Sequence, residues 1–99
     1  ASVGLSEDEA KKRYKNVTIN YESVPNWFNA RRLQEPAYAY KIISNSRTNE
    51  IVGTHLLSGN AAETINLFAM AIASGKTTED LKQMIFTYPS WCNDIKSMV

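Results

Sequence analysis

Val17, Ile19 and Tyr21 alternate with Thr18, Asn20 and Glu22, the period-two pattern of a strand with one face toward a core. Pro25 stops that run. Tyr38, Tyr40 and Ile42 repeat the alternation. A stretch dense in turn formers, Ser44 to Asn49, separates them from a third apolar run, Ile51 to Leu57. The last two runs read as an antiparallel hairpin with a longer loop. Residues 26–36 read as an irregular connection with Trp27 and Phe28 tucked beneath it.

The flanking segments carry helical signals. Ser6 and Glu9 have capping-box spacing, and Glu7, Asp8 and Glu9 put negative charge at the positive end of a helix dipole. Lys11, Lys12, Arg13 and Lys15 follow at its other end, where the plain reading is a solvated helix terminus. Leu5, Ala10 and Tyr14 offer this helix a narrow contact with a core. Asn60 can cap a second helix with Glu63 as reciprocal partner, and Gly75 stands where a left-handed stop is expected. Thr77 with Asp80 opens a third helix, whose Leu81, Met84, Ile85 and Tyr88 share a face until Pro89 ends it. A last turn or short helix fits Ser90 to Met98. The order predicts a single α+β domain over residues 1–99, an antiparallel sheet of three or more strands with helices packed on it.

The helix after Asn60 is apolar on two sides. At about 100° per residue, Ala61, Ile65, Phe68, Ala69 and Ile72 form one stripe, and Leu67, Met70 and Ala71 fall opposite. The first stripe would cover the sheet. The second needs another neighbour, either the following helix or a second subunit, and a chain of 99 residues has few spare elements to offer.

Composition narrows the partners. Eleven basic and ten acidic residues leave a net charge of +1, which gives no footprint for nucleic acid or an anionic membrane. The apolar run Leu67 to Ala73 is too short to span a bilayer. A single cysteine, Cys92, excludes an internal disulfide and fits a reducing, cytoplasmic setting. The chain starts at Ala1, as a processed chain or a fragment would. His55 has no second ligand at metal-binding spacing and reads as a packed, hydrogen-bonded histidine. Cys92 reads as a small buried apolar residue. No nucleophile–base pair can be argued from spacing, and no GxGxxG or GxxxxGK[ST] loop occurs. The chain alone is not expected to be an enzyme; a free-standing small binding module is the other reading open at this level.

Three blocks add a resemblance. They are Val3 to Glu7 with Glu9–Ala10, Ile51 to Glu63, and Gly75 to Leu81 followed by Tyr88–Pro89–Ser90. In that order and spacing they resemble the C-terminal interface domain of the glutathione reductase, dihydrolipoamide dehydrogenase and mercuric reductase family of pyridine nucleotide–disulfide oxidoreductases. The resemblance implies a parent chain with FAD- and NAD(P)-binding domains and a redox cysteine pair elsewhere, so Cys92 need not be the redox cysteine. It implies a homodimer joined through this domain, which also lends residues to the partner's active site. Leu67, Met70, Ala71, Tyr88 and Trp91 are then expected at the interface, with no cofactor bound by this domain itself.

One departure from the family pattern bears on chemistry. The family has His-Pro-Thr with a Glu three residues after the Thr. Here Tyr88, Ser90 and Asn93 occupy the His, Thr and Glu positions. A tyrosine with its ordinary pKa near 10 is a poor general base at neutral pH, and Asn93 lacks the charge that would orient an imidazolium. The usual acid–base dyad is therefore not expected. Tyr88 is left as a hydrogen-bond donor or an interface aromatic, and the resemblance implies a cis Tyr88–Pro89 bond.

Overall fold

The computed structural model describes residues 1–99. Its elements run β1 (Ser2–Gly4), α1 (Glu7–Arg13), β2 (Val17–Ser23), α2 (Phe28–Arg32), β3 (Ala39–Asn45), β4 (Ile51–Leu57), α3 (Ala61–Ala73), α4 (Thr78–Lys82), a 3₁₀ turn (Trp91–Asp94) and α5 (Ile95–Met98). The four strands form one antiparallel sheet in the order β1-β4-β3-β2. The hairpin expected from the sequence is β3–β4, with a bulge between Ile43 and Ser44. The sheet gains an edge strand that periodicity does not reveal. Three residues are too few to show a pattern, and β1 exists because Ser2, Val3 and Gly4 pair with His55, Thr54 and Gly53 across the whole domain.

The α+β expectation holds, and the sheet separates two cores. On one face Tyr40, Ile42, Ile51 and Leu56 meet Ala61, Ile65, Phe68 and Ala71 of α3, joined by Val24, Ala30, Tyr38, Leu81, Ile95 and Met98. On the other, Ala10 of α1 packs on Ile43 and Val52, with Leu5, Tyr14, Val17 and Ile19 around them. The alternation in β3 explains this: even positions point to α3, odd positions to α1. Tyr21 departs from the expectation and is 62% exposed. α1 has 7 residues and covers only the start of β2, so the Tyr21 ring is left to Lys41, whose Nζ lies 5.9 Å from its centroid. Gly53 lets β1 cross closely, because a Cβ there would lie 2.0 Å from the Leu5 carbonyl oxygen.

Most helix ends follow the sequence. Ser6 and Glu9 form a reciprocal capping box, as do Thr77 and Asp80. Gly75 takes the left-handed conformation at φ 67°. Asn60 does not cap α3. Its backbone lies at φ −117°, ψ 19°, short of the extended geometry a cap requires, and its side chain donates instead to Thr64 Oγ1. Ser58 takes over, its hydroxyl accepting the Asn60 N–H at 3.2 Å. The connection 26–36 is not wholly irregular, since it carries α2. Trp27 is half-buried against the main core as expected, but Phe28 is 53% exposed. α4 stops at Lys82, well before Pro89. Only Leu81 reaches the core; Met84 is 43% exposed and Ile85 94%, and so short a helix gains its stability only by burying a face.

One polar atom in the core is unmatched. Thr54 is fully buried between β4 and α3, and its hydroxyl oxygen has no hydrogen-bond partner. Replacing it by the near-isosteric Val removes an unsatisfied group without opening a cavity. Thr54→Val is expected to stabilise the fold by about 1 kcal/mol, read from urea unfolding. A loss of stability would mean that the hydroxyl is satisfied in solution.

Candidate functional site

The Tyr88–Pro89–Ser90 turn lies at one end of the molecule, between α4 and the 3₁₀ turn. The Tyr88–Pro89 bond is cis. Ser90 caps the 3₁₀ turn by accepting the Asn93 N–H at 3.2 Å, and its hydroxyl donates to the Thr87 carbonyl. Ser90 thus holds the turn's shape. Tyr88 is 67% exposed and stacks on Phe28, with centroids 6.2 Å apart and rings 21° from parallel. Asn93 is half-buried.

Behind the turn sits a hydrogen-bond network that sequence reasoning left unassigned. The Asp94 carboxylate accepts from the Tyr38 hydroxyl at 2.7 Å and from Asn29 Nδ2 at 3.0 Å. Asn29 Nδ2 also donates to the Ser90 carbonyl at 2.8 Å, and Asn29 Oδ1 accepts from Arg32 at 2.9 Å. Burial, then the bond to Asp94, push the Tyr38 phenol far above its ordinary range, so it donates as a neutral hydroxyl. Tyr40, desolvated and bonded to Glu22, is pushed up to about 12. Trp91 seats its ring edge-on against Tyr38 at 5.1 Å, and Tyr38 in turn packs edge-on against Trp27 at 5.7 Å. Trp91, expected at an interface, makes this contact within the single chain and is half-buried. The residues that meet here come from sequence positions 27–38 and 88–94, and no spacing rule links such segments.

The second face of α3 is partly open. Ala71 is buried, packing on the core while lining the groove on that face. Leu67 is half-buried, and Met70 is 69% exposed. With Leu81, Met84, Phe86 and Ile95 they line an apolar groove between α3 and the segment after α4. The following segment walls the groove but does not cover it. Met84, Ile85 and Tyr88 are exposed, at 43%, 94% and 67%.

The other candidates stay structural. His55 is bonded on both ring nitrogens, to Ser2 Oγ at 2.8 Å and to the Leu5 carbonyl at 3.3 Å. Cys92 is half-buried against the core, and burial pushes its thiol up, away from a reactive thiolate. The four glycines sit singly, at positions 4, 53, 59 and 75, and form no phosphate cradle, so these residues do not fit a flavin or nicotinamide site.

A family model described as the pyridine nucleotide-disulphide oxidoreductase dimerisation domain matches residues 1–99. The chain belongs to this family. An uncharacterised 19.7 kDa protein in the mercuric resistance operon of Staphylococcus aureus is 43% identical to it over 99 residues, covering 100% of this chain and 55% of that protein. Mercuric reductase of Staphylococcus aureus is 30% identical over 97% of this chain and 18% of its own length. Glutathione reductase of Burkholderia cepacia is also 30% identical, over 99% of this chain and 22% of its own. Among solved structures, the HOCl-induced flavoprotein disulfide reductase RclA from Escherichia coli matches with a TM-score of 0.90 at 25% identity, covering 98% of this chain and 22% of that one. The dimerisation domain thus spans about half the length of the first relative and about a fifth of the reductases. No helix in it is long and apolar enough to cross a membrane.

Proposed function

We propose that this dimerisation domain joins two subunits of a flavin- and NAD(P)H-dependent oxidoreductase through the open face of α3, and that it offers the Tyr88–Pro89–Ser90 turn to the edge of the partner's active site. The observation that carries this reading is the apolar groove along α3, lined by Leu67, Met70, Ala71, Leu81 and Met84, with Met70 69% exposed. Of the residues expected at the interface, Leu67, Met70 and Ala71 line that groove, and Tyr88 is exposed. The FAD- and NAD(P)-binding parts belong to other domains of the assembly, since no residue set here fits them. The one thiol and near-neutral charge support a cytoplasmic setting, with neither nucleic acid nor membrane as partner.

Tyr88 and Asn93 shape the chemistry. An exposed phenol and an uncharged amide can donate hydrogen bonds but cannot shuttle protons as a His–Glu dyad does at neutral pH. The electron acceptor is accordingly one whose reduction needs no imidazole relay at this turn, and a metal ion or a second nicotinamide fits that better than glutathione disulfide. The mercuric reductase and the mercuric-resistance-operon protein among the relatives support an acceptor of the first kind.

A second reading concerns the parent chain. The 43% identical relative has a mass of only 19.7 kDa, and this domain fills 55% of it. The domain therefore has a close relative in a chain much shorter than the reductases, and it could serve there as a pairing module that docks onto a separate flavoprotein. Light scattering on the 99-residue chain across a concentration series tests the shared core of both readings. A concentration-dependent dimer is expected, and a strict monomer up to millimolar concentration would remove α3 as a self-sufficient interface.

A further inference from the structure

The Tyr88–Pro89–Ser90 turn is gripped by a segment that lies outside every family-like block of the sequence. α2 supplies two contacts to it and one to Asp94 behind it. Asn29 is 3% exposed, and its amide reaches the Ser90 carbonyl and the Asp94 carboxylate, 61 and 65 residues away along the chain. Phe28 lies flat against the Tyr88 ring. Arg32 ties the two together, donating to Asn29 Oδ1 and placing its guanidinium 5.9 Å from the Phe28 centroid.

The burial of these residues separates their tasks. Asn29 is inside, with its side-chain amide nitrogen and oxygen both engaged, which suits an anchor for the backbone of the turn. Phe28 is 53% exposed and its other neighbours do not bury it, so core packing does not account for an aromatic ring there. Tyr88 is itself 67% exposed, and an exposed tyrosine ordinarily hops between rotamers. Its stack on Phe28 is the contact within the chain that can restrict that motion.

We infer that α2 positions the Tyr88 hydroxyl, with Asn29 anchoring the turn and Phe28 fixing the direction of the phenol ring. Phe28 and Asn29 are positioning residues, acting on any partner group only through Tyr88. The inference rests on the reading of this turn as the part offered across the interface, where a phenol pre-set in one orientation loses less freedom on meeting its target.

The test is NMR of the 99-residue chain with ¹³C-labelled tyrosine, the Tyr88 signals being assigned by their loss in Tyr88→Phe. In Phe28→Leu the Tyr88 ring signals should lose their ring-current shift and move to free-tyrosine positions. The sheet amide spectrum and the thermal midpoint should stay unchanged, and Phe28→Trp should keep the ring signals displaced. Unmoved Tyr88 signals in Phe28→Leu would overturn the inference. A fall in melting temperature with shifts spread through the sheet would also overturn it, because Phe28 would then be a fold contact. Light scattering on the same samples keeps the two readings apart: a monomer with a displaced Tyr88 signal refutes the interface alone, and a dimer with an unmoved one refutes the positioning alone.

Discussion

Met70→Glu is expected to weaken the dimer by two to three orders of magnitude while leaving the monomer folded. Met70 is 69% exposed in the single chain, so a glutamate there stays solvated and retains good helix propensity. It falls in the last turn of α3, where a negative charge meets the negative end of the helix dipole at a cost of about 0.3–1 kcal/mol. In a two-fold dimer the substitution occurs twice on one face. An unpaired charge buried at an interface costs about 3–5 kcal/mol, and each 1.4 kcal/mol is about tenfold in dissociation constant. Met70→Lys separates burial from the dipole: it suits the helix terminus yet should disrupt the dimer equally. Sedimentation equilibrium gives the dissociation constants, and circular dichroism reports the fold. Unchanged association in both variants would sink the interface reading. Leu67→Glu is a poorer probe, because Leu67 also packs on the core and its loss mixes folding with pairing.

Phe68→Ala should have the opposite signature, a large loss of fold stability. Phe68 is fully buried at the centre of the main cluster, where α3 lies on the sheet. Truncating a buried Phe to Ala removes about 3–5 kcal/mol, partly lost transfer energy and partly the cavity left behind. A domain of this size has a total stability of about 5–15 kcal/mol. The variant should therefore melt on the order of 20 °C lower, and the loss should appear in urea unfolding with an unchanged slope. A loss below about 1 kcal/mol would place Phe68 away from the centre of the core. Two positions two residues apart on one helix, 68 and 70, thus report on different free energies, folding for the first and association for the second.

The part of the fold written in local order was legible. β2, β3 and β4 follow from period-two alternation, because one face of each strand meets a core and the other does not. The capping boxes at Ser6 and Thr77 and the left-handed Gly75 follow from backbone groups that any helix end must satisfy. The family was legible as well, because its three blocks keep their order along the chain, and the structure keeps the cis Tyr88–Pro89 bond that the resemblance implied.

The misreadings share a cause. α4 looked like a helix reaching Tyr88 because Leu81, Met84, Ile85 and Tyr88 fit one face, but a periodic pattern does not say whether anything lies opposite that face. Asn60 has the right side chain for a cap in the wrong backbone conformation. Phe28 is aromatic and so was expected inside, yet its partner is the exposed Tyr88.

By itself the sequence determined what depends on neighbours within a few residues: which segments are strands or helices, where most caps and stops fall, and that α3 is apolar on two sides. Tertiary structure alone decided what depends on residues far apart in the chain. It made Ser2–Gly4 a strand by pairing it with β4, drew Ala71 into the core while leaving Met70 outside, and gathered Asn29, Tyr38 and Asp94 behind the Tyr88 turn. Hydrogen bonds and burial across 50 or more residues leave no local period in a sequence, so these features become visible only when the sheet closes and α2 meets the C-terminal segment.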